Sequence, residues 1–226
     1  MNDSDKTRDA LATQIEMPGM FNANDYLGQE LETTRMPTAS KIAIKNQHKT
    51  TRIHLKARKK NEIKMEHLAE LLPQLPEEGW SYHVVSSGNF DFWTYVPHLI
   101  SLGGYFDELY VSTWTMNREN AVEMLELYDD GKVGKINLLT GKYFKRRETA
   151  VFALILEGLL KRGQRYKAFA NHTKIMLLGN KDHNIIVEGS ANLTANPRVE
   201  QFILTHNTEL YEFHRKWMEE MLDARQ

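Results

Sequence analysis

The chain has 226 residues, of which 41% are hydrophobic, which is enough for one globular domain with a core and an extension. A formal net charge of -1 excludes a uniformly basic nucleic-acid binder, and the absence of cysteine excludes disulfides and thiolate metal sites. The sequence lacks an apolar run near the roughly 20 residues that span a bilayer, and its start, MNDSDKTRDA, lacks the apolar centre of a signal peptide, so we predict a cytoplasmic protein without membrane contact.

The first 78 residues read as two segments that precede the main domain. Residues 1–40 are polar and interrupted by Pro18-Gly19 and Pro37, which predicts a flexible or partner-packing arm. Residues 41–64 carry nine lysines and arginines against one acid, with alternating isoleucines typical of short strands. We interpret 41–78 as a basic strand and helix extension with a linker, which either lies along a phosphate backbone or forms a solvated charged face.

From residue 79 onward, strands alternate with helices. Strands are predicted at 81–86, 106–113, 133–139 and 165–169, and helices begin near Phe90, Asn117 and Arg147. A further strand at 201–205 and a helix at 208–222 close the chain. The alternation predicts an α/β fold with a mixed, largely parallel β-sheet flanked by helices on both faces. Sites in such sheets form beyond strand ends, where Ser87 to Asn89, or Thr113 and Trp114, could line a pocket.

A hairpin is predicted between residues 171 and 200. Two apolar runs, 175–178 and 184–187, are separated by Gly-Asn-Lys-Asp-His at 179–183. Because side chains alternate along a strand, His172 and Lys174 share one face before the hairpin, and Ser190 and Asn192 share one after it. If the two faces coincide, an imidazole, an ammonium, a hydroxyl and a carboxamide converge on one point.

That set of groups suits a phosphodiester. Its two anionic oxygens need charge and hydrogen bonds, its phosphorus must be attacked, and its leaving oxygen must be protonated. Lys174 could supply the charge, Ser190 and Asn192 neutral donors, and His172 either a nucleophile or a proton carrier near neutral pH. Electrostatic stabilisation of this kind is often the largest contribution to catalysis.

The same residues carry a resemblance to a known family. His172-Thr-Lys174 followed by Gly189-Ser-Ala-Asn192 resembles the His-x-Lys and Gly-Ser-x-Asn signature of the phospholipase D superfamily. The resemblance implies a histidine nucleophile, a lysine and an asparagine that hold the phosphate, no cofactor or metal, and two motifs at one active site. One motif is present, as in single-motif, nuclease-like members that complete the site as homodimers. The resemblance thus implies a metal-independent phosphodiesterase, specifically a nuclease that forms a phosphohistidine intermediate. It places the catalytic domain at residues 79–226.

Two positions depart from the family pattern. The family aspartate, five positions after the lysine, is replaced by Gly179, whereas Asp182 keeps the six-residue spacing to Gly189. Whether Asp182 takes the family role is open at this point. The family glutamate beyond the second motif, which contacts the histidine, is best matched by Glu200, so the implied catalytic set is completed by that residue.

A basic cluster follows the third predicted strand, where loops could meet a substrate. We assign Lys142, Lys145 and Arg146 of this cluster, together with Arg198, to substrate binding. These cations, and the lack of a membrane-docking helix with exposed aromatics, favour nucleic acid over lipid. The expected nucleic acid is DNA, although these features do not themselves separate DNA from RNA. The alternative is a catalytically inactive phospholipase D-like module that binds DNA or a protein partner.

Overall fold

A seven-stranded sheet organises the protein in a computed structural model that describes residues 63–88, 90–194 and 198–224. The order across the sheet is β1-β7-β6-β5-β2-β3-β4. Its strands are β1 Ser81–Ser86, β2 Glu108–Thr113, β3 Ile136–Gly141, β4 Arg165–Phe169, β5 Ile175–Gly179, β6 Asn184–Gly189 and β7 Glu200–His206.

The sheet is mixed, which confirms the predicted fold class. Strands β1, β2, β3, β4 and β6 run in one direction, and β5 and β7 run in the other. The expected dominance of parallel pairing is wrong, because only β2–β3 and β3–β4 are parallel neighbours in the described sheet. The reason is that β5, β6 and β7 follow one another through short connections, and parallel neighbours need a crossover of a dozen or more residues.

Helices cover both faces of the sheet. They are α1 (residues 63–71), α2 (Tyr95–Gly103, preceded by a 3₁₀ turn at Phe92–Thr94), α3 (Arg118–Asp129), α4 (Phe144–Arg147), α5 (Thr149–Lys161) and α6 (Thr208–Asp223). Among the described residues, none of the helices combines the length and apolarity that crossing a bilayer requires.

The core is divided between the two faces. One face buries Leu109, Val111 and Leu138 against Leu99 of α2 and Met124 of α3. The opposite face buries Tyr110, Leu139 and Leu177 against Tyr211 and Met218 of α6. The alternation of Leu109, Tyr110 and Val111 between the two cores follows from the two-residue period of a strand. Because both faces are covered, the central strands read as continuous apolar runs.

Most element boundaries agree with the prediction, with local differences at the helix from Arg147, at β2 and at β3, which covers Ile136–Gly141 instead of 133–139. The predicted helix from Arg147 to Arg162 is interrupted at Glu148, whose φ of -129° and ψ of 56° are not helical, so it forms α4 and α5. Strand β2 begins at Glu108 instead of Phe106, which forms an isolated bridge with Val133. The predicted arm at 1–40 and the basic strands at 41–62 lie outside the described residues, and the domain boundary at 79 stays a prediction.

The strand directions bring many chain segments to one edge of the sheet. Strands β1, β2, β3, β4 and β6 end there, and β5 and β7 begin there, because Ser86 pairs with Glu200 and Ile175 pairs with both Ser112 and Glu188. The predicted His-x-Lys segment enters β5 at this edge, and the Gly-Ser-x-Asn segment leaves β6 at the same edge. We call it the site edge.

Candidate active site at the site edge

The two sequence motifs are joined directly through the backbone. The amide of Gly189 donates to the carbonyl of Lys174 at 3.0 Å, one step beyond the ladder between β5 and β6. Ser190 continues the pairing with β7, since its amide donates to the Gln201 carbonyl at 3.1 Å. The predicted hairpin is therefore confirmed, and its register holds both motifs at the site edge.

A buried asparagine fixes the segment that carries His172. The Asn171 amide nitrogen donates to Ser112 Oγ at 2.9 Å and to the Thr113 carbonyl at 3.3 Å, both at the end of β2. Its Oδ1 accepts from the backbone amide and the hydroxyl of Thr173. Sequence reasoning missed Asn171, although an asparagine directly after a strand often holds a turn through its side chain. These bonds of Asn171 and Thr173 to the end of β2 fix the backbone on both sides of His172, whose side chain is exposed.

Lys174 and His172 meet at the site edge. The Lys174 ammonium lies 3.2 Å from Nδ1 of the His172 ring and donates to the His172 carbonyl at 2.7 Å. Lys174 is 9% exposed, whereas the His172 side chain faces solvent. Burial lowers the pKa of Lys174 below its ordinary value, and the Glu200 carboxylate partly offsets that shift. The ammonium is thus desolvated beside an exposed imidazole, which strengthens its attraction for an anion.

Ser190 and Glu200 form a second pair at the same edge. The Ser190 hydroxyl donates to the Glu200 carboxylate and accepts from the Gln201 amide at 3.1 Å. Glu200 also acts electrostatically on Lys174, so both pairs belong to one charged group. The resemblance implies a contact between Glu200 and His172, and the carboxylate is close enough to Lys174 to influence the same ammonium that His172 contacts.

Asn192 follows Ser190 in a loop anchored by its neighbours. Leu193 is fully buried, forms a bridge with Met116, and accepts from the Asn117 amide at 2.8 Å through its carbonyl. Asn192 Oδ1 is buried and has no hydrogen-bond partner among the described residues. A buried amide oxygen without a donor costs about 1–3 kcal/mol, so Asn192 is held in place by its neighbours in spite of its polarity.

The cations predicted to bind substrate lie near this edge. Lys142 directly follows β3, and Lys145 and Arg146 lie on α4; all three are exposed. Arg198 is exposed two residues before β7. Trp114, which follows β2, has its ring centre 5.9 Å from that of His172. Asp182 lies in the turn at the opposite end of the β5–β6 hairpin, roughly 15 Å along the strands from the site edge at about 3.4 Å per residue.

The described residues contain no group of three or more histidine, aspartate or glutamate side chains arranged to hold a metal ion. A cleft of about 570 Å³ among the described residues is lined by Glu108, Tyr110, Arg165, Arg215 and Glu219. It adjoins the opposite ends of β2 and β4 and includes none of the predicted site residues. The candidate site therefore lies outside this cleft, at the strand ends where His172 is exposed.

Comparison with known proteins supports the fold. The sequence matches no protein-family model and no curated protein. Among solved structures, a polyphosphate kinase from Porphyromonas gingivalis is similar over 65% of this chain and 26% of its own, with 13% identity and a TM-score of 0.50. The chain thus spans about a quarter of that kinase and shares the fold of that portion.

Two further solved structures are similar. Nuc from Salmonella typhimurium, a phospholipase D family member, is matched over 63% of this chain and 93% of its own, with 12% identity and a TM-score of 0.48. TrmBL2, an archaeal chromatin protein with a novel mode of DNA binding, is matched over 78% of this chain and 65% of its own, with 15% identity and a TM-score of 0.44.

Proposed function

We propose that the chain is a metal-independent phosphodiesterase, a nuclease of the single-motif phospholipase D type, which acts as a homodimer through a phosphohistidine intermediate. The observation that carries the proposal is the contact between the desolvated Lys174 ammonium and the exposed His172 ring, 3.2 Å apart, at an edge that also holds Ser190, Asn192 and Glu200. An anion bound at His172 would therefore lie next to the positive charge of Lys174.

The reaction divides into two displacements. A nitrogen of His172 attacks phosphorus, an N–P bond forms, and the P–O bond to the leaving group breaks while that oxygen takes a proton. Water then attacks the phosphohistidine, a P–O bond forms as the N–P bond breaks, and a proton from that water passes to the imidazole that had protonated the leaving oxygen. One ring cannot attack and protonate in the same step. A second His172, from the partner chain, therefore supplies the proton.

The resting geometry requires one rearrangement before attack. A charged Lys174 can only donate to Nδ1 of His172, so a neutral ring in this state carries its proton on Nε2. Attack through Nε2 needs that proton on Nδ1 instead. Lys174 must release Nδ1, and an arriving phosphate gives its ammonium a better partner because the charge-assisted bond to an anion is stronger. Substrate binding would thus prepare the nucleophile.

The preference for nucleic acid rests on charge placed around the site. Lys142, Lys145 and Arg146 stand on the segment that leaves β3 at the site edge, and Arg198 lies on the approach to β7. A phosphate held by Lys174 would have these cations at the surrounding surface. Phosphate contacts of this type supply most of the sequence-independent affinity for nucleic acid.

The test combines a chelator with two histidine variants. Plasmid and single-stranded DNA are incubated in excess EDTA with the wild-type chain, with His172→Ala, and with the control His67→Ala, whose imidazole is exposed on α1. We expect cleavage by the wild type and the control, and none by His172→Ala. Cleavage that needs a divalent cation, or that survives in His172→Ala, contradicts the proposal.

A second function is supported by the resting hydrogen bonds. Nδ1 of His172 is bonded to Lys174, and Ser190 is bonded to Glu200. These two pairs already have their hydrogen bonds, as they would in a site that binds a ligand without catalysis. A catalytically silent module that grips DNA would give a retarded but intact band with the wild type and His172→Ala alike.

A further inference from the structure

Trp114 connects the candidate nucleophile to one particular arginine. The Arg147 guanidinium carbon lies 4.9 Å from the centre of the Trp114 ring, and that ring is tilted by 49° against His172 at 5.9 Å between centres. Together these distances limit the separation of the guanidinium from the His172 ring to about 11 Å. One strand of a duplex carries a phosphate about every 3.4 Å of helix axis, so two neighbouring phosphates fit within that limit.

Backbone structure holds this arrangement in place. A Cβ atom at Gly141 would collide with the Trp114 indole, so the end of β3 must be a glycine for the ring to lie there. Arg147 is the last residue of α4, where its amide donates to the Tyr143 carbonyl at 3.0 Å and the buried Phe144 anchors the turn. The break at Glu148 ends α4 at this point, so that Arg147 stands beside Trp114 instead of continuing along α5.

Three arginines of the described chain pair with acidic side chains, whereas Arg147, like Arg118, Arg146 and Arg198, forms no ion pair with a described residue. Arg162 pairs with Asp129, Arg165 with Glu219, and Arg215 with Glu212. No described carboxylate forms an ion pair with Arg147, which is exposed and contacts an aromatic face. A cation over an aromatic ring keeps its hydrogen-bond donors free for an anion, because the ring faces only the guanidinium plane.

The neighbouring cations lack this connection. Lys145 lies 5.7 Å from the centre of the Phe152 ring on α5, and Lys142 lies 5.3 Å from that of Tyr143. Neither of those rings contacts His172 among the described ring pairs, whereas Trp114 does. Arg147 is therefore the member of the basic cluster whose place is coupled to the candidate nucleophile.

We propose that Arg147, positioned by Trp114, binds the phosphate next to the one at His172, so that the site takes a strand of nucleic acid with consecutive phosphates in preference to an isolated phosphodiester. This inference rests on the proposed function for the position of the first phosphate. Arg147 is a substrate-binding residue here, and Trp114 is a positioning residue that acts through it.

The test compares ligands with one and two phosphates. Binding of a dinucleotide, with one phosphodiester, and of a trinucleotide, with two, is measured by competition against a fluorescein-labelled single DNA strand. All chains carry His172→Gln, which prevents cleavage, and Arg147→Gln is compared with Lys132→Gln, an exposed cation at the opposite edge of the sheet. We expect the second phosphate to increase affinity about tenfold in the control and hardly at all in Arg147→Gln.

Salt dependence and a double variant complete the test. Loss of one phosphate contact should lower the slope of log Kd for the labelled strand against log salt by about 0.7. Trp114→Leu should weaken binding in the same way, and Arg147→Gln should add little in that background, because the two residues act as a unit. Additive effects of the two changes would show that Trp114 does not position Arg147.

The outcome separates this inference from the proposed function. An equal gain from the second phosphate in Arg147→Gln and Lys132→Gln overturns the inference and leaves the nuclease assay untouched. A second outcome is that the wild-type chain cleaves no DNA, while the second phosphate still fails to increase affinity in Arg147→Gln. In that case the hydrolase proposal fails and the role of Arg147 stands. Thermal melts of each variant confirm that it is folded.

Discussion

At the scale of single residues, the most telling feature is a charged lysine held out of water. Burial lowers the pKa of Lys174 from its ordinary 10.5, with the nearby Glu200 carboxylate opposing that effect. Because the ammonium loses its proton at a lower pH than a free lysine does, the site should lose its hold on anions as pH rises, below pH 10.5. Inhibition of binding by inorganic phosphate, measured against pH, should show this alkaline limit.

Lys174→Arg provides the control for that prediction. A guanidinium stays charged throughout the range, so the alkaline limit should move upward or vanish even if affinity falls at neutral pH. An unchanged limit in Lys174→Arg would assign the titration to another group.

Asn171 shows how a buried amide can position a site that it does not line. Its contacts to Ser112 and Thr173 fix the backbone on both sides of His172. Asn171→Ala should lower the free energy of unfolding by about 1–3 kcal/mol, since it leaves buried partners without bonds, and should weaken DNA binding as well. Asn184→Ala, which removes an exposed amide bonded to Thr208, is the control and should change stability by less than about 0.5 kcal/mol. Urea denaturation measures the free energy of unfolding of both variants. Equal losses of stability in Asn171→Ala and Asn184→Ala would contradict the positioning role.

At the scale of elements, local patterns could be predicted from the sequence and distant contacts could not. Strands β1 and β4 and the start of α3 at Asn117 follow from runs, turns and a cap that lie within a few residues. The bond from Asn171 to Ser112 joins residues 59 apart, and the Trp114–His172 contact depends on β5 lying beside β2. The break at Glu148 was missed because it lies in a polar run, residues 145–149, where no apolar periodicity marks the boundary between two helices.

Close packing gives a structural reason for a glycine at position 189, in addition to its place in the second motif. A Cβ at Gly189 would lie 2.7 Å from Cδ1 of Phe202, whose ring stacks on Phe92 with centres 5.8 Å apart. Gly189→Ala should therefore destabilise the end of β6 by about 1–3 kcal/mol through overpacking, as measured by urea denaturation. Phe202→Leu removes part of the obstructing ring, so the double variant should be more stable than the sum of the single changes predicts. Strict additivity would show that the two positions do not collide.

At the scale of the whole molecule, the described helices cover both faces of the sheet, while His172 is exposed at the site edge. Core residues of α6 close one face, and those of α2, α3 and α5 close the other, so the proposed dimer would place its second chain at the strand ends. Two copies related by a two-fold axis would present their His172 residues to each other. This arrangement would supply the nucleophile and the acid from identical chains.

The proposed homodimer makes a quantitative prediction for mixed chains. Wild-type and His172→Ala chains are co-expressed in equal amounts with different tags, and total nuclease activity is measured with the dimer fraction. If every site needs both histidines, mixed dimers are inactive and random pairing leaves about a quarter of the wild-type activity. If each chain works alone, half remains. Purified mixed dimers, isolated through both tags, decide the matter directly, because any turnover near half that of the wild type shows that one His172 suffices.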